Sequence, residues 1–157
     1  MTTTTASRRN NVLVLLGLLD AAFAVAGLGS LATINNVDGW YASADKPWFN
    51  PPNWIFGPVW TLLYAAMAVA AWFAWRRGAD LRMWWVQLAL NLAWTPVFFA
   101  AQWLWPALVV IVALDIAVAM TLVAFWRVSR AAGLLLAPYL AWVLFATALN
   151  AAIASLN

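Results

Sequence analysis

MWWVQLALNLAWTPVFFAAQWLWPALVVIVALDIAVAMTLVAFW, residues 83–126, holds one charged side chain, Asp115, in 44 positions. As a single helix it would reach about 66 Å at ~1.5 Å per residue, roughly twice the ~30 Å hydrocarbon core of a bilayer. The run must therefore fold back on itself. Gln102, Trp103, Trp105 and Pro106 supply the place: a polar group, two rings suited to a membrane–water boundary, and a proline that fits the first turn of a new helix. Residues 102–105 are predicted to form a tight turn at one surface, joining spans at 83–101 and 106–126.

Outward from that stretch, three more apolar runs of spanning length lie at 12–34, 56–75 and 133–154. The whole chain is 67% hydrophobic and 8% charged, against about 45–50% and ~25% in soluble domains. An all-α integral membrane protein is predicted: one bundle of five transmembrane helices over 12–154, preceded by a Thr-rich, disordered tail at 1–11. Ser7-Arg8-Arg9 ahead of the first run has the form of an export signal. That run, however, is longer than the ~7–15 residues of a signal core and contains Asp20, so it is read as a span.

Charge gives a topology. Alternate threading puts Arg8, Arg9, Arg76, Arg77, Arg82, Arg127 and Arg130 on one side and Lys46 alone on the other. By the positive-inside rule this places the N-terminus in the cytoplasm of a bacterial inner membrane; an outer membrane, to which the rule does not apply, stays open. The net charge of +3 is spent on topology, so no nucleic-acid partner is expected. Cysteine and histidine are both absent. That removes thiolate and imidazole metal sites, thiol nucleophiles and histidine acid–base chemistry, and neither a metal nor a required cofactor is expected.

Between the first two runs stands KPWFNPPNWIFGPVW, residues 46–60. Pro51 and Pro52 interrupt any helix there, while Trp48, Trp54 and Trp60 offer broad rings with one polar N–H each. The stretch is predicted to be a structured Trp/Pro-rich loop capping the bundle between helices 1 and 2. Helical spacing then defines three faces: Trp60, Tyr64 and Met67; Asn91, Trp94 and Phe98; and Tyr139, Trp142, Ala146 and Asn150. Together they could enclose a flat apolar ligand. The same rings could instead merely fill the bundle or form interfacial belts, and spacing alone favours that reading.

Asp20 and Asp115 lie within spans, where an ionised carboxylate costs about 2.5–3.5 kcal/mol. With Asn150 they are expected to be buried polar groups, serving either a ligand or an interhelical hydrogen bond; Asn91 has the same two readings. Small residues recur at four-residue spacing at Ala22, Ala26 and Ser30 and at Ala89 and Ala93, allowing close helix contact.

Trp40-Tyr41, KPWFNPP at 46–52, VWTLLY at 59–64, QLALNLAWTPVFF at 87–99, PYLAW at 138–142 and TALN at 147–150 occur in that order. In this the chain resembles the translocator protein or tryptophan-rich sensory protein family (TspO/MBR, the peripheral-type benzodiazepine receptors). The resemblance implies a five-helix bundle, usually dimeric, that binds porphyrins such as protoporphyrin IX and sterol-like or synthetic hydrophobic molecules in a cavity closed by the first loop. Porphyrin would be a ligand, not a cofactor. Membrane lipid and a second copy of the chain would be the other partners. Family ligand-contacting positions correspond to Tyr41, Pro51, Trp60, Asn91, Phe98, Trp142 and Ala146, to which the helical faces add Trp94 and Tyr139.

Transport, sensing and porphyrin breakdown are the roles that the resemblance offers. The third would be catalysis dependent on light and oxygen, with Trp60 and Trp142 as the oxidisable rings and no other catalytic residue. A structural or regulatory membrane subunit is the remaining alternative. Without histidine or cysteine, metal-free porphyrin should bind at least as well as haem. The proposed cholesterol motif is incomplete: Tyr139 follows Leu134–Leu136, but no basic residue follows Tyr139. Sterol binding is therefore expected to be weak.

Overall fold

The structure, a computed structural model, describes the backbone of residues 2–34 and 36–157 and the side chains of 8–34 and 36–157. All regular structure among them is helical: α1 (Thr2–Ile34), the short α2 (Trp40–Ser43), α3 (Asn53–Arg76), α4 (Arg82–Thr95), a π-helical turn (Pro96–Ala100), α5 (Leu104–Val128) and α6 (Arg130–Leu156). Residues 8–34 of α1, and all of α3, α5 and α6, are long and apolar enough to cross a membrane. The chain is a multi-pass integral membrane protein. Helical backbone also runs through residues 2–11, which the sequence assigns to a disordered tail. Arg8, Arg9 and Asn10 are exposed there, so the helix's own hydrogen bonds shape that stretch.

The expected span 83–101 is divided. Pro96 brings no N–H to the hydrogen-bond ladder of α4, and the backbone continues with wider, five-residue bonding, Ala101 N–H donating to the Pro96 carbonyl at 2.9 Å. The consecutive rings of Phe98 and Phe99 both end up buried. Gln102 then takes a left-handed conformation (φ 58°), and Trp103 N–H reaches back to the Val97 carbonyl at 3.0 Å. α5 begins at Leu104, with Pro106 in its first turn as expected.

The principal contacts of the long helices close a ring: α1 on α3, α3 on α6, α6 on α5, α5 on α4, and α4 back on α1. Two turns at the arginine-bearing end fix this order. After α3, Gly78 (φ +80°) sets a left-handed cap in which Gly78 N–H bonds the Trp75 carbonyl and Ala79 N–H the Ala74 carbonyl. Between α5 and α6 there is one residue, Ser129, whose hydroxyl caps α6 by accepting from Ala132 N–H at 3.3 Å. So tight a turn presses α6 onto Trp126. A Cβ at Gly133 would stand 2.7–3.0 Å from Trp126 atoms, including its Cα, so only glycine fits.

At the opposite end the 36–52 segment is tied down at both flanks. Trp40 Nε1 donates to the Phe99 carbonyl at 2.6 Å, and Tyr41 Oη donates to Asn50 Oδ1 at 2.8 Å. Lys46 Nζ donates to the carbonyls of Tyr41, Ala42 and Ala44 at 2.7–3.2 Å, closing the C-terminal end of α2. Asn157 pairs with the Asp45 backbone in both directions, at 3.1 and 2.8 Å. Trp48 stands 95% exposed beyond this network.

Candidate functional site

Beneath the 36–52 segment lies a cavity of about 340 Å³. Its aromatic walls come from four places. Phe56, Trp60 and Tyr64 descend along α3, Trp142 and Phe145 along α6, and Trp94, Phe98 and Phe99 along α4 and the π-helical turn, with Tyr41 of α2 above. The rings support one another: Trp94 stacks on Phe98 (5.3 Å, 28°), Trp60 meets Trp142 edge-on (6.4 Å, 85°), and Trp142 lies against Phe145 at 5.4 Å. Burial pushes the Tyr41 phenol up to about 12, so at neutral pH it is a neutral donor held on Asn50.

The wall carries no acid, lysine or arginine among the described residues. Three of its aliphatic hydroxyls are turned to their own helices: Ser30 to the Gly27 carbonyl, Thr33 to Gly29 and Thr61 to Gly57. Trp142 Nε1 is buried without a hydrogen-bond partner. It is a donor on a wall ring with no protein acceptor in reach. Where α1 faces α3 the lining residues Ser30, Ile34, Gly57 and Thr61 are exposed on the outer surface, so the cavity has a mouth toward the helix periphery.

A polar layer forms the floor. Tyr64 Oη donates to Asn91 Oδ1 at 2.5 Å, Asn91 Nδ2 donates to Tyr139 Oη at 2.9 Å, and Tyr139 Oη donates to Gln87 Oε1 at 2.7 Å. Every one of these side chains is buried. Asn150 is bonded on both sides, accepting from Trp94 Nε1 at 3.0 Å and donating to the Leu104 carbonyl at 2.9 Å, which locks α4, α5 and α6 together at the cavity's edge.

Of the expected site residues, the structure brings Tyr41, Trp60, Trp94, Phe98, Trp142, Ala146 and Asn150 to the wall. Asn91 and Tyr139 stand in the floor layer behind Tyr64, and Pro51 lies in the 36–52 segment outside the lining. Asp115 makes an interhelical contact, its Oδ2 2.7 Å from Thr147 Oγ1 on α6. Asp20 is a correction. Expected among buried polar groups, it is exposed on the outer face of α1, because the cavity-facing side of that helix is carried by Ala26, Gly29 and Thr33 instead.

Sequence reasoning missed the contribution of α1 altogether. Ala26 and Ser30, read as a packing stripe, border the cavity. Gln87 was also missed; its amide one helical turn before Asn91 in an apolar run was the available signal. Phe145, three residues after Trp142, was legible by the same spacing that identified Ala146.

The cavity, its aromatic walls and its motif-bearing residues coincide with a family-level match. Residues 18–156 match the TspO/MBR family. The chain belongs to the TspO/MBR family. Among curated TspO/MBR relatives, the tryptophan-rich protein TspO of Archaeoglobus fulgidus is 46% identical, covering 94% of this chain and 99% of its own. The human translocator protein is 43% identical over 71% of this chain and 70% of its own length. The tryptophan-rich sensory protein of Cereibacter sphaeroides is 40% identical over 80% and 84%.

Proposed function

We propose that this TspO/MBR protein is a membrane receptor or sensor that binds porphyrins, metal-free protoporphyrin IX foremost, and other flat hydrophobic molecules in the aromatic cavity, scavenging or conveying them. The observation that carries this reading is the uncharged wall of tryptophan and phenylalanine rings around a volume within the ~300–1,000 Å³ usual for small-molecule sites. Stacking on such rings is worth about 0.5–1.5 kcal/mol per pair beyond burial. The acidic edge of a porphyrin has no partner on that wall, so it would remain at the mouth between α1 and α3. The 36–52 segment serves as the lid. Ligands of this class concentrate in lipid, and the mouth faces that phase.

The bundle has five spans in this reading. α4 with its π-helical turn covers residues 82–100, roughly 28 Å at ~1.5 Å per residue, matching the ~30 Å core. The arginine-bearing end then faces the cytoplasm of an inner membrane. The protein acts as a homodimer through the outer face of α1, where exposed Asp20 has Gly17, Ala24 and Gly27 beside it. A second copy would relieve the ~2.5–3.5 kcal/mol cost of a carboxylate facing lipid, and small residues permit close approach.

The test is a dark titration of the purified protein with metal-free protoporphyrin IX, following tryptophan quenching. Saturable binding weakened at least tenfold by Trp142→Ala is the expected result. Quenching that never saturates and is unchanged by the substitution would mean partition into detergent, and would sink the reading. A second reading, oxidative porphyrin breakdown, is favoured by one observation: the oxidisable rings of Trp60 and Trp142 meet edge-on at 6.4 Å on the cavity wall. It requires light and oxygen, and bleaching should disappear in Trp142→Phe while affinity is kept.

A further inference from the structure

A second depression lies on the outer face of α5, away from the cavity, lined by Ala119, Met120, Val123, Ala124 and Arg127. These positions fall on one helical face over more than two turns. Alanines at 119 and 124 leave room that Met120 and Val123 border, making a shallow, open groove along the helix. The groove lies on a helix apolar enough to span, and it ends where that helix ends, at Val128. From Ala119 to Arg127 it runs about 12 Å at ~1.5 Å per residue, most of one leaflet's half of the ~30 Å core.

The charge at its end is unmatched. Among the described residues the one ion pair is Arg82–Asp80, at 3.3 Å and exposed, so Arg127 has no acidic partner. Arg130 lies close by over the Trp126 ring (6.0 Å), and it is the first residue of the 27-residue α6, whose positive dipole end adds to the local field. A partner helix covering the groove would need an acid at this level. A phospholipid supplies the acid and the chain in one molecule.

We propose that this groove is a site for an anionic phospholipid, one acyl chain lying along Ala119–Ala124 and the phosphate paired with Arg127, with Arg130 beside it. The site is independent of the porphyrin cavity. The test uses the whole protein in detergent, titrated with mixed micelles carrying phosphatidylglycerol or phosphatidylcholine, with lipid retention read by native mass spectrometry and unfolding by thermal shift. Retention should favour phosphatidylglycerol about fivefold, the worth of one arginine near an anionic surface, and Arg127→Gln should erase that preference. Arg77→Gln, the same charge change at the neighbouring turn, should leave it intact. Ala124→Phe should lower retention of both lipids by filling the groove.

Equal loss in Arg127→Gln and Arg77→Gln would show a diffuse charge effect and overturn the site. So would stabilisation by inorganic phosphate alone, or an Ala124→Phe effect on oligomeric state with retention unchanged.

Discussion

Asn91 shows most directly how a residue can matter to this cavity without touching its contents. Its amide joins two phenols, accepting from Tyr64 and donating to Tyr139. Asn91→Ala strands Tyr64 Oη without its acceptor in a buried layer, at a cost of about 1–3 kcal/mol. A drop in thermal stability of that size is expected, together with weaker porphyrin binding as Tyr64 reorients. Trp142→Ala should instead lose affinity with little extra instability beyond its cavity. Helical spacing put Asn91 on a face with Trp94 and Phe98, and Tyr139 on a face with Trp142. Spacing reports direction around a helix axis but says nothing of depth along it, so the wall and the layer beneath it were not separable in the sequence. Tyr41 sets a pH dependence. Its folded phenol is raised by burial from the ordinary 10.0 to about 12. The neutral form is the one favoured by folding, so its contribution is complete below pH 10 and is lost as pH rises toward 12. Loop protection against proteolysis, followed from pH 9 to 12, should fall in that window, and Tyr41→Phe should flatten the change.

At the scale of elements, the apolar runs were legible because hydrophobic length is nearly a sufficient condition for a spanning helix. Gln102 through Pro106 marked the break between the π-helical turn and α5 because a polar group, two interfacial rings and a helix-starting proline cluster there near the middle of the run. The π-helical turn was not legible. Pro96 in an apolar stretch predicts disturbance of the ladder but not its form, and the bond from Trp40 to the Phe99 carbonyl comes from a distant part of the chain. That bond couples α2 to the turn. Trp40→Phe keeps most of the ring and removes the donor; hydrogen exchange over 36–50 should accelerate several-fold while α5 and α6 are unchanged. The α5–α6 turn gives a sterner test. Gly133→Ala drives a methyl into Trp126 at its Cα and Cβ, which cannot swing away. Overpacking of this kind costs about 1–3 kcal/mol, readable as a lower unfolding temperature in detergent. Equal stability would mean that α6 shifts freely against α5.

For the whole molecule, the ring of helices leaves Asp20 on its outer surface in the middle of a spanning stretch. In a lone chain in lipid, Asp20→Leu should only help. At a homodimer seam it should weaken association, and a Cys pair introduced at Gly27 should cross-link in native membranes but not in Asp20→Leu. Energy transfer between labelled copies in liposomes measures the first outcome, and unchanged transfer would remove α1 from the seam. The sequence showed the carboxylate but not its azimuth, since Gly17, Ala24 and Gly27 carry too little hydrophobic contrast to say which face of α1 looks inward. The mouth between α1 and α3 has a consequence for how affinity is expressed. A site reached from the bilayer responds to moles of ligand per mole of lipid, and a dissociation constant quoted per litre of water will drift with every change in the lipid-to-protein ratio. Two preparations with identical binding sites would then seem to differ in potency solely because one carried more membrane.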